Sequence, residues 1–457
     1  MQREAQVTAI ATKLGPDAAN QRAIAVAGSE MPLPAMTLPR SKRTGAFTDN
    51  MSLPVHRWFR YSAGFSAAWV EDLINKKGLT EDDVIFDPFA GSGTTMVAAQ
   101  ARNVSALGAE SHYFVRRVAN AKLLWSKVPE RDLLDICAGF VAEAKVRESA
   151  QQSESSGLLR KCYSPESLKR LGALRNVYRE SFANQSPVGE LLWLAITSIL
   201  RECSGVGTAQ WQYVLPNKTK AKVQDPFAAF AARIKLFCAD IAEMKNNGAG
   251  SEASVESCDA RSLAAFAHLH GRVKLIITSP PYPNNYDYAD ATRLEMTFWG
   301  EIDGWGGLQQ AVRRHLVRSC SQHSAAERLE LDKLLADEAI DPIKAELIDV
   351  CSRLAAIRVT RGGKKTYHTM VAAYFADLAK VWRSLYPLCA AGSEVCFVIG
   401  DAAPYGIYVP AERWLGELAL AAGFRTWTFE KFRDRNVKWK NRKHRVPLKE
   451  GNLWVTN

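Results

Sequence analysis

Asp83-Val-Ile-Phe-Asp-Pro-Phe-Ala-Gly-Ser-Gly-Thr-Thr95 decides the fold of this chain. The apolar run from Val84 to Phe86 predicts a short buried strand, and the glycine-rich turn after it leads into a helix opening near Thr94. Gly91 and Gly93 allow a sharp turn and a close approach of backbone to ligand, because neither carries a Cβ. Val104-Ser-Ala-Leu-Gly-Ala-Glu110 reads as a second strand and residues 112–125 as a second helix. Strand, helix, strand, helix at this spacing predicts a parallel βαβ unit.

The turn occupies the place where open α/β sheets bind ligands. No Lys follows its second glycine, so it is not a phosphate-cradling loop, and Met96 stands where a dinucleotide fingerprint would have its third glycine. Glu110 lies 17 residues after Gly93, at a strand end where a carboxylate can accept bonds from both ribose hydroxyls. A tight turn with an acidic strand end suits a nucleoside without phosphates, such as S-adenosylmethionine. The same turn read alone is also compatible with a purely structural role.

Further along, residues 128–247 contain helical segments near 130–147, 166–182, 188–203 and 226–246, with no convincing strand between them. Strand signals return at Ala253–Glu256 and Val273–Thr278, followed by helical sequence over about 291–357 and from His368 to Leu385. Ser393–Gly400 is another buried strand. A helix at Ala411–Ala422 and strands at Phe424–Phe429 and Asn452–Thr456 close the chain. The expected architecture is an α/β doubly wound sheet ending in an antiparallel hairpin and interrupted by two helical insertions. The divisions are a loosely ordered arm (1–45), a first core part (46–125), an insertion (126–250), core with a second loop of interest (251–300), a second insertion (301–365) and the closing core (366–457).

The 457 residues carry 59 Lys and Arg against 48 Asp and Glu, a net charge of +11, which favours a polyanionic partner. No apolar run reaches the roughly 18 residues a membrane span requires, and no secretory signal pattern opens the chain. Nine dispersed cysteines without a CxxC pair point to free thiols in a reducing, cytoplasmic compartment. His315, Cys320 and His323 lack a fourth ligand, so no metal is expected.

Asp87-Pro-Phe-Ala-Gly-Ser-Gly-Thr-Thr95 together with Thr278-Ser-Pro-Pro-Tyr282 resembles the amino-methyltransferases of DNA, the N4-cytosine and N6-adenine enzymes. The resemblance runs from residue 55 to about 300, and the closing strand–helix–strand region fits it as well. It implies a Rossmann-like methyltransferase sheet that binds S-adenosyl-L-methionine. The cofactor would lie on Asp87, Phe89, Ala90, Gly91, Ser92, Gly93 and Thr94, with Phe65 against its methionine part, Glu110 on the ribose and Asp259 receiving the adenine amino group.

Ser279, Pro280, Pro281 and Tyr282 then form the expected catalytic loop at a carboxyl edge of the sheet. An exocyclic amine is conjugated and poorly nucleophilic. The Ser279 hydroxyl and the Pro280 carbonyl could accept its two N–H bonds and direct a lone pair at the methyl. Two prolines leave the loop little freedom, so orientation carries most of the rate. Tyr282 offers a ring for a base taken out of the duplex. Serine at the first position resembles the N4-cytosine enzymes more than the N6-adenine ones, which usually carry Asp or Asn. Asn284, Asn285, Tyr286 and Asp287 either read base edges or hold the loop.

Double-stranded DNA is the expected partner. Arg425–Lys449 carries ten Lys and Arg against Glu430 and Asp434, with Trp439 and His444 interleaved, and offers Lys438, Lys440, Arg442, Lys443 and Arg445 to phosphates. Trp211, Lys218, Lys220 and Lys222 in the first insertion, and Lys364 and Lys365 after the second, are further candidates. Only 19 residues separate Asp259 from Thr278, too few for a recognition domain just before the catalytic strand, so the 126–250 insertion is expected to read bases with help from 300–365. The sequence leaves a homodimer open, and any cognate endonuclease is expected to be a separate protein. The rival readings are an adenine-N6 enzyme, an RNA methyltransferase of the tRNA guanine-N2 type, and an idle cofactor-bound DNA-binding protein.

Overall fold

In β1 (Val84–Asp87) the side chains alternate between two hydrophobic cores: Ile85 packs into one, Val84 and Phe86 into the other. The same alternation recurs in β7 (Cys389–Gly400), where Cys396 and Val398 face the first core and Val395, Phe397 and Ile399 the second. A sheet apolar on both faces needs helices on both sides, which is the expected doubly wound arrangement.

The computed structural model describes residues 47–457 except 62–63, 151–155, 184–185, 209–212, 249, 285, 363–364 and 436–445. The N-terminal arm of the sequence reading therefore falls outside the described residues. Seven strands lie in the order β5 (Ala253–Glu256), β2 (Ser105–Ala109), β1, β6 (Val273–Thr278), β7, β9 (Leu448–Thr456), β8 (Thr426–Arg435). The pairs from β5 to β7 are parallel, while β9 runs antiparallel to both β7 and β8. This is the doubly wound sheet ending in an antiparallel hairpin that the sequence leads one to expect. Among the described residues no helix is long and apolar enough to cross a membrane.

Helices Ala67–Lys76, Thr94–Ala101 and Tyr113–Leu123 supply the first face, and Tyr367–Leu385 and Ala411–Ala421 the second. The helices of the first insertion start where their sequence says they should. Ser164, Ser186 and Asp225 each cap a helix beginning with proline, at Pro165–Ser181, Pro187–Ile199 and Pro226–Asn247. Buried Asp240 ties this layer to the segment before the first core helix. It accepts the Val55 N–H at 2.9 Å and the Trp58 indole N–H at 2.8 Å, and pairs with Arg57.

Two sequence expectations are corrected. The first insertion is not purely helical: β3 (Val206–Thr208) and β4 (Val214–Thr219) form an antiparallel hairpin. Three residues including Gly207, facing a strand that holds Pro216 and polar residues, present no alternating pattern to read. The continuous helical stretch expected over 291–357 is broken into Arg293–Trp299, Trp305–Ala311, Ser321–Ala326, Leu331–Leu335 and Lys344–Thr360. Gly300, in a left-handed conformation, ends the first of these pieces.

Candidate active site

The glycine turn is held from below by Asp87, whose buried carboxylate closes three bonds. Oδ1 accepts the Phe89 N–H at 3.0 Å and the Thr278 hydroxyl at 2.6 Å, and Oδ2 accepts the Thr95 hydroxyl at 2.8 Å. Burial pushes the Asp87 carboxyl up to about 6 against those donors. Asp87 thus spans from the glycine turn to the last residue of β6, one position before Ser279. Gly91 (φ 53°) and Gly93 (φ 83°) lie in the left-handed region, and a Cβ on Gly93 would stand 3.1 Å from that of Ala119.

Glu110 closes the turn from the neighbouring strand. Its Oε2 accepts the Gly91 N–H at 2.9 Å and its Oε1 the His112 N–H at 2.7 Å. Burial nevertheless pushes its carboxyl up to about 7. The structure brings Phe89, Gly91, Glu110, Ser279 and Pro281 into one cleft. Tyr61, Ser111, His112, Tyr288, Leu316 and Val317 complete its wall. Among the described residues no lysine or arginine lines it, and burial depresses His112 to about 3, so the imidazole is neutral. Such a lining suits a nucleoside rather than a phosphate.

At the end of β6, the Ser279 hydroxyl donates to the Val398 carbonyl at 3.2 Å, leaving its oxygen free to accept. The Tyr282 N–H donates to the Tyr288 hydroxyl at 3.4 Å, and the Tyr282 hydroxyl donates to Glu450 at 3.1 Å. Asp287 holds the loop rather than presenting an open edge. Its N–H donates to the Tyr213 hydroxyl at 2.9 Å and its carboxylate takes the buried Arg313 guanidinium at 2.6 Å. His323 and Arg313, both facing the carboxylate, keep it below the usual range despite burial.

A family model described as DNA methylase (N6/N4) matches residues 35–121. The chain is 22% identical over 425 residues to the type II methyltransferase M.BsoBI of Geobacillus stearothermophilus, covering 84% of this chain and 81% of the relative. It is 26% identical over 415 residues to the type II methyltransferase M.AvaI of Nostoc sp. (strain PCC 7120 / SAG 25.82 / UTEX 2576), and equally to that of Anabaena variabilis, covering 84% of the chain and 82% of each relative. Residues 35–121 thus match the N6/N4 DNA methylase family, and the distant similarity to type II methyltransferases extends over most of the chain.

In this chain some expected residues take other places. Phe65 is buried edge-on to Trp69, and the aromatic ring over the glycine turn is that of Tyr61, whose Cε1 is 3.4 Å from where a Gly91 Cβ would stand. Asp259 is engaged by the Arg261 guanidinium at 2.6 Å, and Arg261 continues to buried Asp377, which also takes Arg318. Ala90, Ser92 and Thr94 are buried in the turn itself. Lys218, Lys220, Lys222 and Lys365 are exposed, Lys220 donating to the Arg201 carbonyl and Lys365 lying 5.6 Å from the Tyr367 ring centroid. Trp211, Asn285, Lys364, Lys438, Lys440, Arg442, Lys443 and Arg445 lie outside the described residues. Sequence reasoning missed Tyr61, Ser111, His112, Tyr288, Leu316 and Val317 as cleft residues. Ser111 and His112 directly follow Glu110 and the run Tyr286-Asp-Tyr288 was a usable signal for Tyr288; nothing local marked Leu316 and Val317.

Proposed function

We propose that this protein transfers a methyl group from S-adenosylmethionine to the exocyclic amine of a base rotated out of duplex DNA, and that the base is cytosine, modified at N4. The observation carrying this reading is the meeting of Ser279 and Pro281 with Gly91 and Glu110 in one cleft that no lysine or arginine lines among the described residues. When bound, the sulfonium supplies the methyl as an electrophile. The N–C bond forms as the C–S bond breaks, sulfur keeps the electron pair, and the amine then releases one proton to water.

The residues of the chain orient this exchange. Glu110, anchored by two backbone N–H groups, accepts the ribose hydroxyls, and Tyr61 covers the turn. Asp259 can meet the adenine amino group only while sharing its carboxylate with Arg261. Ser279 spends its proton on Val398 and offers lone pairs to the amine, and the Pro280 carbonyl takes the second N–H. Orientation of this kind supplies several kcal/mol of barrier lowering without a strong base. Serine at the first position of the loop, where the chain resembles the N4-cytosine enzymes, favours cytosine. By extension from relatives named type II methyltransferases, the substrate is a defined sequence in double-stranded DNA and the endonuclease partner is a separate protein.

The test is incubation with S-adenosylmethionine and unmethylated genomic DNA, digestion to nucleosides and mass spectrometry, with Ser279→Ala in parallel. N4-methylcytosine that disappears in the variant is the expected result. N6-methyladenine would overturn the choice of base. Methylation confined to RNA, or absent from every nucleic acid, would overturn the reading itself.

A further inference from the structure

Glu450 is a buried acidic residue on a sheet strand. It lies on β9 at 3% exposure, opposite Gly400 of β7 and Arg433 of β8. Its two oxygens are divided between different tasks. Oε1 accepts the Tyr282 hydroxyl at 3.1 Å, while Oε2 accepts Nε and Nη2 of Arg433 at 2.9 and 2.7 Å. Two residues further along β8, the Arg435 guanidinium lies 5.4 Å from the centroid of the Tyr282 ring and donates to the Asp401 carbonyl at 2.8 Å. The site is shaped for this contact. A Cβ at Gly400 would come within 2.6 Å of Arg435 Nη1 and 3.3 Å of Tyr282 Cε2.

A buried carboxylate is costly unless paired, and Arg433 and Arg435 provide the pairing, both on Oε2. That pairing alone does not account for Oε1, which is committed to the phenol of the proposed catalytic loop. Tyr282 is consequently held at its hydroxyl by Glu450, at its N–H by Tyr288 and on its ring by Arg435. The Ser279 hydroxyl lies within reach of the same phenol.

We propose that Glu450 is a positioning residue for methyl transfer: through the Tyr282 hydroxyl it fixes the ring on which the target base stacks, and through Arg433 it ties that ring to the β8–β9 hairpin. A base stacked on a ring free to swing would spend less time in line with the methyl. The rate, rather than the cofactor affinity, therefore depends on Glu450. This inference rests on the methyl-transfer reading, and methylation of DNA by the unaltered protein is the control that tests that reading separately.

The experiment compares the full chain with Glu450→Gln, Tyr282→Phe and the double variant. Measured are kcat, KM for DNA, S-adenosylmethionine affinity, thermal midpoint, and fluorescence of 2-aminopurine placed at the target base. Tyr282→Phe keeps the ring and leaves the Glu450–Arg433 pair intact, so its folding does not depend on that ion pair. We expect each single variant to lose roughly ten- to a hundredfold in kcat, the range associated with ångström-scale misplacement, with cofactor affinity unchanged within about twofold. The double variant should be no slower than Glu450→Gln alone, because the Tyr282 hydroxyl is the link through which Glu450 acts on the ring. A Tyr282→Phe protein with unaltered kcat and 2-aminopurine signal would overturn the proposal. So would losses that multiply in the double variant.

Discussion

Replacing Glu110 by Gln separates a nucleoside-binding carboxylate from a structural one, and the structure sets the size of the effect. Burial raises the Glu110 carboxyl to about 7 in the free protein. Ribose hydroxyls are donors, so the ionised form binds and the protonated form, with one oxygen converted to a donor, binds poorly. Affinity should therefore rise with pH through about 7 and level off above it. With a carboxyl at about 7, roughly one molecule in eleven is ionised at pH 6 and ten in eleven at pH 8. The apparent dissociation constant should fall about tenfold across that interval. In Glu110→Gln this slope disappears. The amide nitrogen would also face an N–H of Gly91 or His112, each of which now donates to a carboxylate oxygen, so affinity should drop by about 1–3 kcal/mol. Calorimetric titration with S-adenosylhomocysteine at several pH values measures both, and the ligand's own amine titrates equally against the two proteins. Equal pH slopes for the two proteins, or equal affinities at about pH 8, would refute the assignment of Glu110.

Gly93→Ala places a side chain at φ 83° with its Cβ 3.1 Å from Ala119 Cβ, a cost of about 1–2 kcal/mol that urea unfolding should register along with weaker cofactor binding. Asp240→Ala orphans the Trp58 indole, the Val55 N–H and Arg57, and should destabilise the fold by about 3–5 kcal/mol in the same assay while the folded fraction binds cofactor as before. Asp287→Asn weakens the hold of Arg313 on the loop after the catalytic motif. Its kcat should fall while the affinity for S-adenosylhomocysteine, measured by titration, stays within about twofold.

The parts legible in the sequence are those whose physical requirement is local. Gly91 and Gly93 announce a left-handed turn, and Glu110 announces itself as an acid ending an apolar strand. The serine- and aspartate-capped prolines mark three helices of the first insertion. Other features depend on distant partners. Phe65 and Tyr61 are aromatic residues four apart, and only tertiary packing sends one into the core and the other over the cleft. Asp259 looked open because its partner, Arg261, folds back onto it across a tight turn. Glu450 reaches Tyr282 from 168 residues away, so no local pattern could have named it.

The two insertions meet on the loop that follows the catalytic motif, and this bears on how recognition and chemistry can be separated. Tyr213, beside β4 of the first insertion, takes the N–H of Asp287 and packs against Tyr286, whose ring stands edge-on to Tyr288 in the cleft. Arg313 and His323 from the second insertion take the Asp287 carboxylate, and Leu316 and Val317 beside them line the same cleft. A residue held from three directions cannot shift with one of its supports and keep the others. If the first insertion reads the target sequence, exchanging it for that of a relative would alter the support of Tyr288 as well as the sequence read. Such a chimaera should recover turnover only when the incoming segment restores a hydroxyl at the position of Tyr213. A Tyr213→Phe protein isolates that contribution: it removes the acceptor for the Asp287 N–H, retains the ring against Tyr286, and should slow methylation on every DNA sequence alike, which a residue that reads bases would not do.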